Sequence, residues 1–341
     1  MRAITAWMVL LICLPAWSLE GPVPIPELSR PAILLVSEGR MFILERTTIY
    51  IYSLPDLKLQ KTFGRKGEGP SEFITQPYGP PMSMSLKDGQ LAVNSMNKLS
   101  FFTLEGKFIR MVRTNPNMVF YPFQDRYIAV GPVTGERTLP LVSFQLMDSG
   151  FKLDKILLKT DVDVSFQYID IPMNAFTHRP FYGGRIFLPD ESNEFLIKVY
   201  DEEGEEIYRI EKDEPRLPVT TEFRDTVHRW FKAEPRFREL YSEFRDRIHF
   251  KKFFPAIRDL HITADTLCAV THRHRGSRYE CIFMDHHGNE KSRYYLPLNP
   301  YTPHTYYPIL YTIHSGVFYS LIEDPEAEVW ELHRMKLKLR P

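Results

Sequence analysis

A pattern of short apolar strands separated by tight polar turns recurs along the chain. It restricts the fold more than any other feature of the sequence. Its clearest copies are MSMSLKDGQLAVNSMNKLSFFTLEGKFIRMV, residues 82–112, and RIFLPDESNEFLIKVYDEEGEEIYRI, residues 185–210. We interpret each copy as four strands joined by short turns. The hairpin between the third and fourth strands is marked by Glu105-Gly106, Ser149-Gly150, Glu203-Gly204 and His287-Gly288.

Four further copies have the same order of strands and turns, at residues 33–63, 127–158, 259–296 and 308–339. Four short antiparallel strands per copy are typical of a β-propeller blade, and six copies correspond to about 54 residues each. The sequence therefore predicts an all-β protein that forms a six-bladed β-propeller. A tandem of β-sandwiches is the alternative, but its strands would not recur in this order.

One segment between the fourth and fifth copies, about residues 218–252, has helical instead of strand periodicity. We expect a two-helix insertion there, with Thr220 or Thr221 capping the first helix and Pro235 in the first turn of the second. The insertion is either an α-hairpin with a solvated charged face or a lid over one end of the channel; a membrane-surface helix is a lesser alternative. The apolar positions are Phe223, Val227, Trp230 and Phe231, then Phe237, Leu240, Tyr241, Phe244 and Ile248.

Residues 1–18 have the pattern of a secretory signal peptide. Arg2 is the only charged residue before Glu20, and a short apolar run ends in Pro15-Ala16-Trp17-Ser18. We expect cleavage near Ser18, leaving residues 19–341 as an exported propeller, periplasmic or extracellular. An uncleaved anchor and a lipoprotein at Cys13 are the alternatives. The predicted mature chain contains no apolar run long enough to span a membrane.

Composition excludes two classes of function. The chain has 43 Lys and Arg against 43 Asp and Glu, so its formal net charge is zero. A disordered polyelectrolyte is therefore excluded, and no nucleic-acid partner is expected. Only Cys268 and Cys281 remain after the signal. A Gly276-Ser277 turn would pair Cys268 with Asp285, leaving the two cysteines out of register for a disulfide, although a longer loop could align them.

The segment FGRKGEGPSEFITQP, residues 63–77, is the most specific motif in the chain. Its glycines allow a sharp bend after an outer strand, and Phe73 can fill the gap between blades. Followed by residues 90–112, this segment resembles an NHL-type repeat, and the chain is similar to secreted bacterial six-bladed β-propellers related to NHL propellers. A phosphate-binding loop is the alternative, but the glycine spacing and the absence of a following helix disfavour it.

The histidines of the fifth copy raise the question of catalysis. His272 and His274 alternate in one strand and would point to the same face, with Asp285, His286 and His287 in the next turn. His272 and His274 are weak candidates for zinc, because no third ligand is fixed by spacing and neighbouring arginines would repel a cation. We therefore predict no cofactor and assign no catalytic residue. Related propellers imply an alternative function, that of a periplasmic metal-dependent lyase or hydrolase acting in the central channel.

The favoured function is a non-enzymatic binding or scaffold protein. By analogy of fold, ligands of propellers bind where the second-to-third-strand hairpins and the crossovers between blades meet. In this chain those loops are more basic than the opposite turns, which suits an anionic protein, peptide or glycan partner. The candidate binding residues are Arg46, Arg65, Lys66, Lys98, Arg137, His274 and Arg275.

Overall fold

Six four-stranded antiparallel sheets arranged as blades confirm the prediction of a six-bladed β-propeller. The computed structural model describes residues 21–54, 56–75, 82–132, 141–163, 169–172, 181–190, 194–301 and 308–339. The predicted signal peptide and Arg137 lie outside these residues. Strands within each blade are labelled A to D from the innermost strand outwards.

Blades 1 to 3 occupy the first half of the chain, after a short first strand. The bounds are β1 Val23–Ile25; β2 Pro31–Ser37, β3 Arg40–Glu45, β4 Thr48–Ser53 and β5 Leu59–Phe63 in blade 1; β8 Ser83–Lys87, β9 Gln90–Ser95, β10 Lys98–Thr103 and β11 Phe108–Arg113 in blade 2; β12 Val119–Phe123, β13 Arg126–Pro132, β14 Leu141–Met147 and β15 Leu153–Asp163 in blade 3. Two short strands, β6 Arg65–Lys66 and β7 Glu72–Phe73, pair in parallel inside the crossover between blades 1 and 2.

Blades 4 to 6 follow, and the last is completed by β1. The bounds are β16 Ile169–Ile171; β17 Phe181–Tyr182, β18 Arg185–Pro189, β19 Phe195–Tyr200 and β20 Glu206–Lys212 in blade 4; β21 Ile248–Phe250; β22 Asp259–Ile262, β23 Leu267–Arg275, β24 Arg278–Met284 and β25 Glu290–Pro297 in blade 5; β26 Tyr311–His314, β27 Val317–Asp324 and β28 Val329–Lys336 in blade 6.

The third and fourth sequence copies begin one strand later than the blades they represent. Copy three begins in β13, whereas the inner strand of blade 3 is β12, Val119–Phe123. Copy four begins in β18, and its inner strand β17 has only two residues. Strand β12 contains Pro122, and proline is unusual inside a strand. The repeat pattern therefore did not predict β12.

The core lies between the blades, where apolar faces of neighbouring sheets pack together. Phe73 is fully buried between blades 1 and 2, beside Phe42 and Phe102. The edge of the Phe73 ring meets Phe102 with a centroid distance of 6.1 Å. The crossover thus supplies the aromatic plug that its sequence predicts.

Helices lie only in the crossover from blade 4 to blade 5, among the described residues. The bounds are α1 Thr221–Ala233, α2 Pro235–Arg238 and α3 Tyr241–Phe244, followed by a 3₁₀ turn Arg245–Arg247. Thr220 caps α1 by accepting the amide of Phe223, and Pro235 begins α2. The second predicted helix is therefore divided into short turns.

The segment that contains these helices packs on a neighbouring crossover. Strand β21 pairs in parallel with β16, and Phe231 of α1 is buried against Ile169 and Ile171. Phe223 of α1 also contacts Phe254 and Tyr301, with ring centroids 4.7 and 5.8 Å apart. The helical segment therefore covers apolar side chains of β16.

The ring closes because β1 forms the outermost strand of blade 6, pairing with β28. The segment that follows β1 is fixed to blade 1 by Glu45, which is 6% exposed. One carboxylate oxygen accepts hydrogen bonds from the amide and hydroxyl of Ser29, both at 2.8 Å, and from the amide of Arg30. The other accepts the Tyr50 hydroxyl at 3.3 Å.

Glu45 should make ring closure sensitive to acid. Burial raises the pKa of its carboxyl, but the hydrogen bonds from Arg30, Ser29 and Tyr50 outweigh it and lower the pKa below 4.5. The stabilisation is present above pH 4.5 and is lost as the pH falls through the lowered pKa. We expect Glu45→Gln to cost about 1–3 kcal/mol of unfolding free energy at pH 7. Urea unfolding between pH 7 and pH 3 should show this difference shrinking; parallel curves would contradict the role of Glu45.

Candidate functional site

The topology places the loops on two opposite faces of the ring. We call the crossover face the side with the B–C hairpins, such as Arg46-Thr47 and Gly276-Ser277, and with the connections between blades. The turn face carries the A–B and C–D turns, such as Asp88-Gly89 and residues 104–107. Because four antiparallel strands reverse direction at each turn, these two sets of loops lie at opposite ends of every blade.

The described candidate binding residues all lie at or beside the crossover face, but their environments differ. Arg46 and Lys66 are exposed. Arg65 is exposed and its guanidinium forms an ion pair with Glu72 at 2.6 Å. Arg275 is exposed, with its guanidinium 4.2 Å from the centroid of the Tyr295 ring.

Lys98 occupies a different position from these exposed cations. It is 4% exposed. Its ammonium donates to the carbonyl oxygens of Gly69 at 2.7 Å and Glu68 at 3.2 Å, and it lies 5.8 Å from the Phe73 ring centroid. Burial lowers the pKa of this ammonium. Lys98 therefore holds the crossover from beneath, and its donors are directed at the backbone.

His272 and His274 differ in exposure: His272 is buried, whereas His274 is exposed at the tip of the hairpin. The register of β23 against β24 shifts between Val270 and His274. The His272 ring lies between Phe254 and Tyr301, at centroid distances of 4.6 and 5.4 Å. Burial, with the nearby Arg258 charge, lowers its pKa well below 6.5, so the ring is neutral at pH 7.

The same shift in register corrects the expected pairing of the cysteines. Arg275 pairs with Arg278 as predicted, but Cys268 pairs with Phe283 and not with Asp285. Cys281 pairs with Val270. Both cysteines are free thiols buried between blades 5 and 6.

The remaining histidines of blade 5 lie at the other end of the sheet. His286 and His287 are in the C–D turn on the turn face, separated from His274 by the length of β24, about 20 Å at 3.3 Å per residue. The ring of His286 bonds the carbonyl of Thr263 at 3.0 Å. Within the described residues, no group of three or more His, Cys, Asp and Glu side chains could hold a metal ion.

The inner strands of blades 5 and 6 are joined by buried polar contacts. Asp259 on β22 accepts the Tyr311 hydroxyl of β26 at 2.7 Å. Two residues along, the His261 ring lies 3.2 Å from the amide of Ile313. Burial raises the pKa of the Asp259 carboxyl, against hydrogen bonds from Tyr311 and Leu260. These groups bind one blade to the next.

A buried ion network, which no sequence motif indicated, joins blade 5 to the end of blade 4. Glu280 is 4% exposed and accepts from Thr271 and Arg273, both at 2.9 Å, and from Arg293 at 3.2 Å. Glu214 follows β20 and pairs with the same arginines, at 3.1 Å to Arg273 and 2.7 Å to Arg293. We call these four charged residues the blade 4–5 clamp.

The turn face is acidic. Its turns carry exposed carboxylates in blades 1 to 5, whereas the exposed lysines of the same turns are Lys58, Lys107 and Lys152. On the crossover face, exposed acids lie among the basic loops. They are Glu27, Glu68, Glu326 and Glu328, with Asp213, Glu222, Asp225, Glu239, Glu243 and Asp246 in the connection from blade 4 to blade 5. The exposed acids of the turn face are Glu38, Asp56, Asp88, Glu105, Asp125, Glu202, Glu203, Glu205 and Asp265.

No helix among the described residues is long and apolar enough to cross a membrane.

No known family model and no curated protein matches the sequence. Among solved structures, the chain is similar to a "Putative exported protein" from Bacteroides fragilis, with a TM-score of 0.53 and 12% identity over 93% of this chain and 95% of that chain. It also matches the β-propeller domain of Cps50 (Swd1) from Myceliophteria thermophila, with a TM-score of 0.43 and 10% identity over 94% of this chain and all of that chain. The second likeness is too weak to carry an argument. At this identity the first shows the fold alone, and that fold agrees with the six blades observed.

Proposed function

We propose that the protein is an exported, non-enzymatic binding or scaffold propeller, and that its crossover face recognises an acidic protein, peptide or glycan. The observation that carries this proposal is the set of exposed basic side chains on the crossover-face loops of blades 1 and 5. Exposed basic side chains at the crossover face include Arg46, Lys66 and Arg275, whereas carboxylates predominate on the turn face. A partner of negative charge would be attracted to one face and repelled by the other.

The basic groups form two patches on either side of blade 6. One contains Arg46, Arg65 and Lys66 of blade 1 and the crossover that follows it. A recess of about 420 Å³ lies beside Arg65 and Pro70. The other patch is the tip of the blade 5 hairpin.

The hairpin tip holds its cations in fixed positions. Arg275 stacks on Tyr295, and the His274 ring lies 3.2 Å from the carbonyl of Gly276. Fixed cations lose less side-chain entropy when they bind an anion. The acidic hairpin of blade 6 between the patches favours a partner whose negative charges are grouped at two sites.

Export and the relation to NHL propellers belong to the same proposal. Residues 1–18 supply the signal pattern. The structurally similar protein from Bacteroides fragilis is a "Putative exported protein". The glycine-rich crossover supports the NHL relation, because Gly64 and Gly67 both have positive φ there.

The proposal is tested by reversing charge on one face at a time. We expect the triple variant Arg46→Glu, Lys66→Glu, Arg275→Glu to bind immobilised heparin and poly-L-glutamate about tenfold or more weakly at low salt, with a smaller difference at high salt. The matched control reverses Lys58, Lys107 and Lys152 to Glu on the turn face and should retain binding. Equal losses in both triple variants, or binding that does not depend on salt, would contradict the proposal.

A further inference from the structure

A cleft between blades 2 and 3 opens on the turn face, away from the proposed partner surface. We call it the blade 2–3 cleft; its volume is about 290 Å³. Strands β9, β10 and β11 form one wall, and β12 with the start of β13 forms the other. The floor is apolar, with Ala92, Phe101 and Tyr127 buried beneath the opening.

Three cations from three different strands reach the cleft, and two of them are already neutralised. Lys87 lies 3.2 Å from Asp88 and donates to the carbonyl of Gln124. Arg126 forms an ion pair with Asp154 at 2.6 Å. Lys87 therefore connects the two walls of the cleft, whereas Arg126 is paired within blade 3.

Arg110 differs from the other two cations. Its guanidinium lies 3.8 Å from the centroid of the Phe101 ring, and Phe101 is 4% exposed. Across the part of the chain that the structure describes, no carboxylate lies within 4.0 Å of this guanidinium. Stacking on the ring orients the guanidinium and leaves its edge N–H groups available for a carboxylate, which guanidinium binds in bidentate fashion.

The polar residues at the rim of the cleft determine which other functional groups of a ligand, besides one carboxylate, fit the site. Asp88 and Asp125 lie at the mouth, 3.2 Å from Lys87 and 4.0 Å from Arg126, so neither of these cations is left to bind a second negative charge. Gln90 and Gln124 offer amide donors and acceptors beside these carboxylates. Hydroxyl groups, which donate to carboxylates and amide oxygens, complement this rim.

We propose that the blade 2–3 cleft binds a sugar acid with a single carboxylate, of the uronic acid class, with the carboxylate on Arg110 and the hydroxyls on the rim. The volume is sufficient for one monosaccharide unit and is at the lower end for small-molecule sites. This site goes beyond the proposed function, since it lies on the opposite face and takes a small ligand.

The test is calorimetric titration with D-glucuronate and D-galacturonate, with D-glucose and D-galactose as neutral counterparts. We expect at least one uronate to bind, its neutral counterpart to bind about tenfold or more weakly, and Arg110→Gln to weaken uronate binding about tenfold or more. The matched control is Arg113→Gln at the other end of the same strand, which should leave uronate binding unchanged. Both variants should keep the wild-type unfolding midpoint.

Three results would overturn the inference: no measurable binding of either uronate, neutral sugars that bind as tightly as the uronates, or an Arg113→Gln variant that loses as much uronate binding as Arg110→Gln. The triple charge reversal on the crossover face separates this site from the proposed function, because it should weaken polyanion binding and leave uronate binding intact. Loss of uronate binding in that triple variant would also contradict a separate site.

Discussion

Gly64→Ala is expected to lower the unfolding free energy by roughly 2–5 kcal/mol, combining the cost of a left-handed backbone with that of overpacking. Gly64 has a φ of +90°, at the point where the chain leaves β5 for the next blade. A Cβ atom there would lie 2.4 Å from the Thr47 carbonyl oxygen and 2.8 Å from the Phe73 ring. Neither group can move freely, because one is backbone and the other is the buried plug between blades 1 and 2.

Gly89→Ala is the matched control for this prediction. Gly89 also has a positive φ, +68°, but a Cβ atom added there would meet nothing within 4 Å. Gly89→Ala should therefore lower the free energy of unfolding only by the cost of the left-handed backbone conformation, about 1–2 kcal/mol. Urea unfolding of both variants measures the difference. Equal losses would show that the close approach of crossover and Phe73 does not contribute to stability.

Glu280→Gln is expected to cost about 2–3 kcal/mol, since it removes a buried carboxylate that accepts hydrogen bonds from Thr271, Arg273 and Arg293. In the blade 4–5 clamp, Glu280 neutralises Arg273 and Arg293 together with Glu214. Glutamine has nearly the same shape as glutamate, so the unfolding free energy lost in Glu280→Gln measures the contribution of the carboxylate charge. The measurement is again the free energy of urea unfolding at pH 7.

The control is Glu105→Gln, which removes the exposed ion pair between Arg40 and Glu105. Glu105 is 64% exposed, so the expected loss is below about 1 kcal/mol. Burial raises the pKa of Glu280, but hydrogen bonds from Arg273 and Thr271 and the charges of Arg273 and Arg293 lower it below 4.5. The clamp should therefore weaken as the pH falls through that lowered value, and the difference between wild type and Glu280→Gln should narrow. A difference that stays constant on acidification would argue against the charge of Glu280.

The fold was predictable because its main signal is local. Alternating apolar residues and turn residues define each blade, and each blade repeats the signal. The prediction missed the inner strands that lack this alternating pattern. The strand β12 contains Pro122, and β17 has only two residues.

The site was less predictable because it depends on register and depth. A lysine at the start of a strand is normally expected to have a solvent-exposed side chain. Lys98 is instead buried, and its ammonium donates to carbonyl oxygens of a loop distant in sequence. The register of β23 shifts between Val270 and His274, and no residue in THRHR marks this irregularity. Glu214 and Glu280 are brought together by the packing of two blades, which a single sequence does not show.

Strand β1 has a consequence for how the molecule forms. Ile25 pairs with Trp330, so the last blade is completed by β1, the strand that comes before those of the other blades in the sequence. Contacts of such large sequence separation form slowly, because most of the chain must be ordered before they stabilise anything. During synthesis, β1 therefore has an unpaired edge until the strands of the sixth blade have formed. A delay of this kind leaves the nascent ring exposed to pairing with the wrong partner strand.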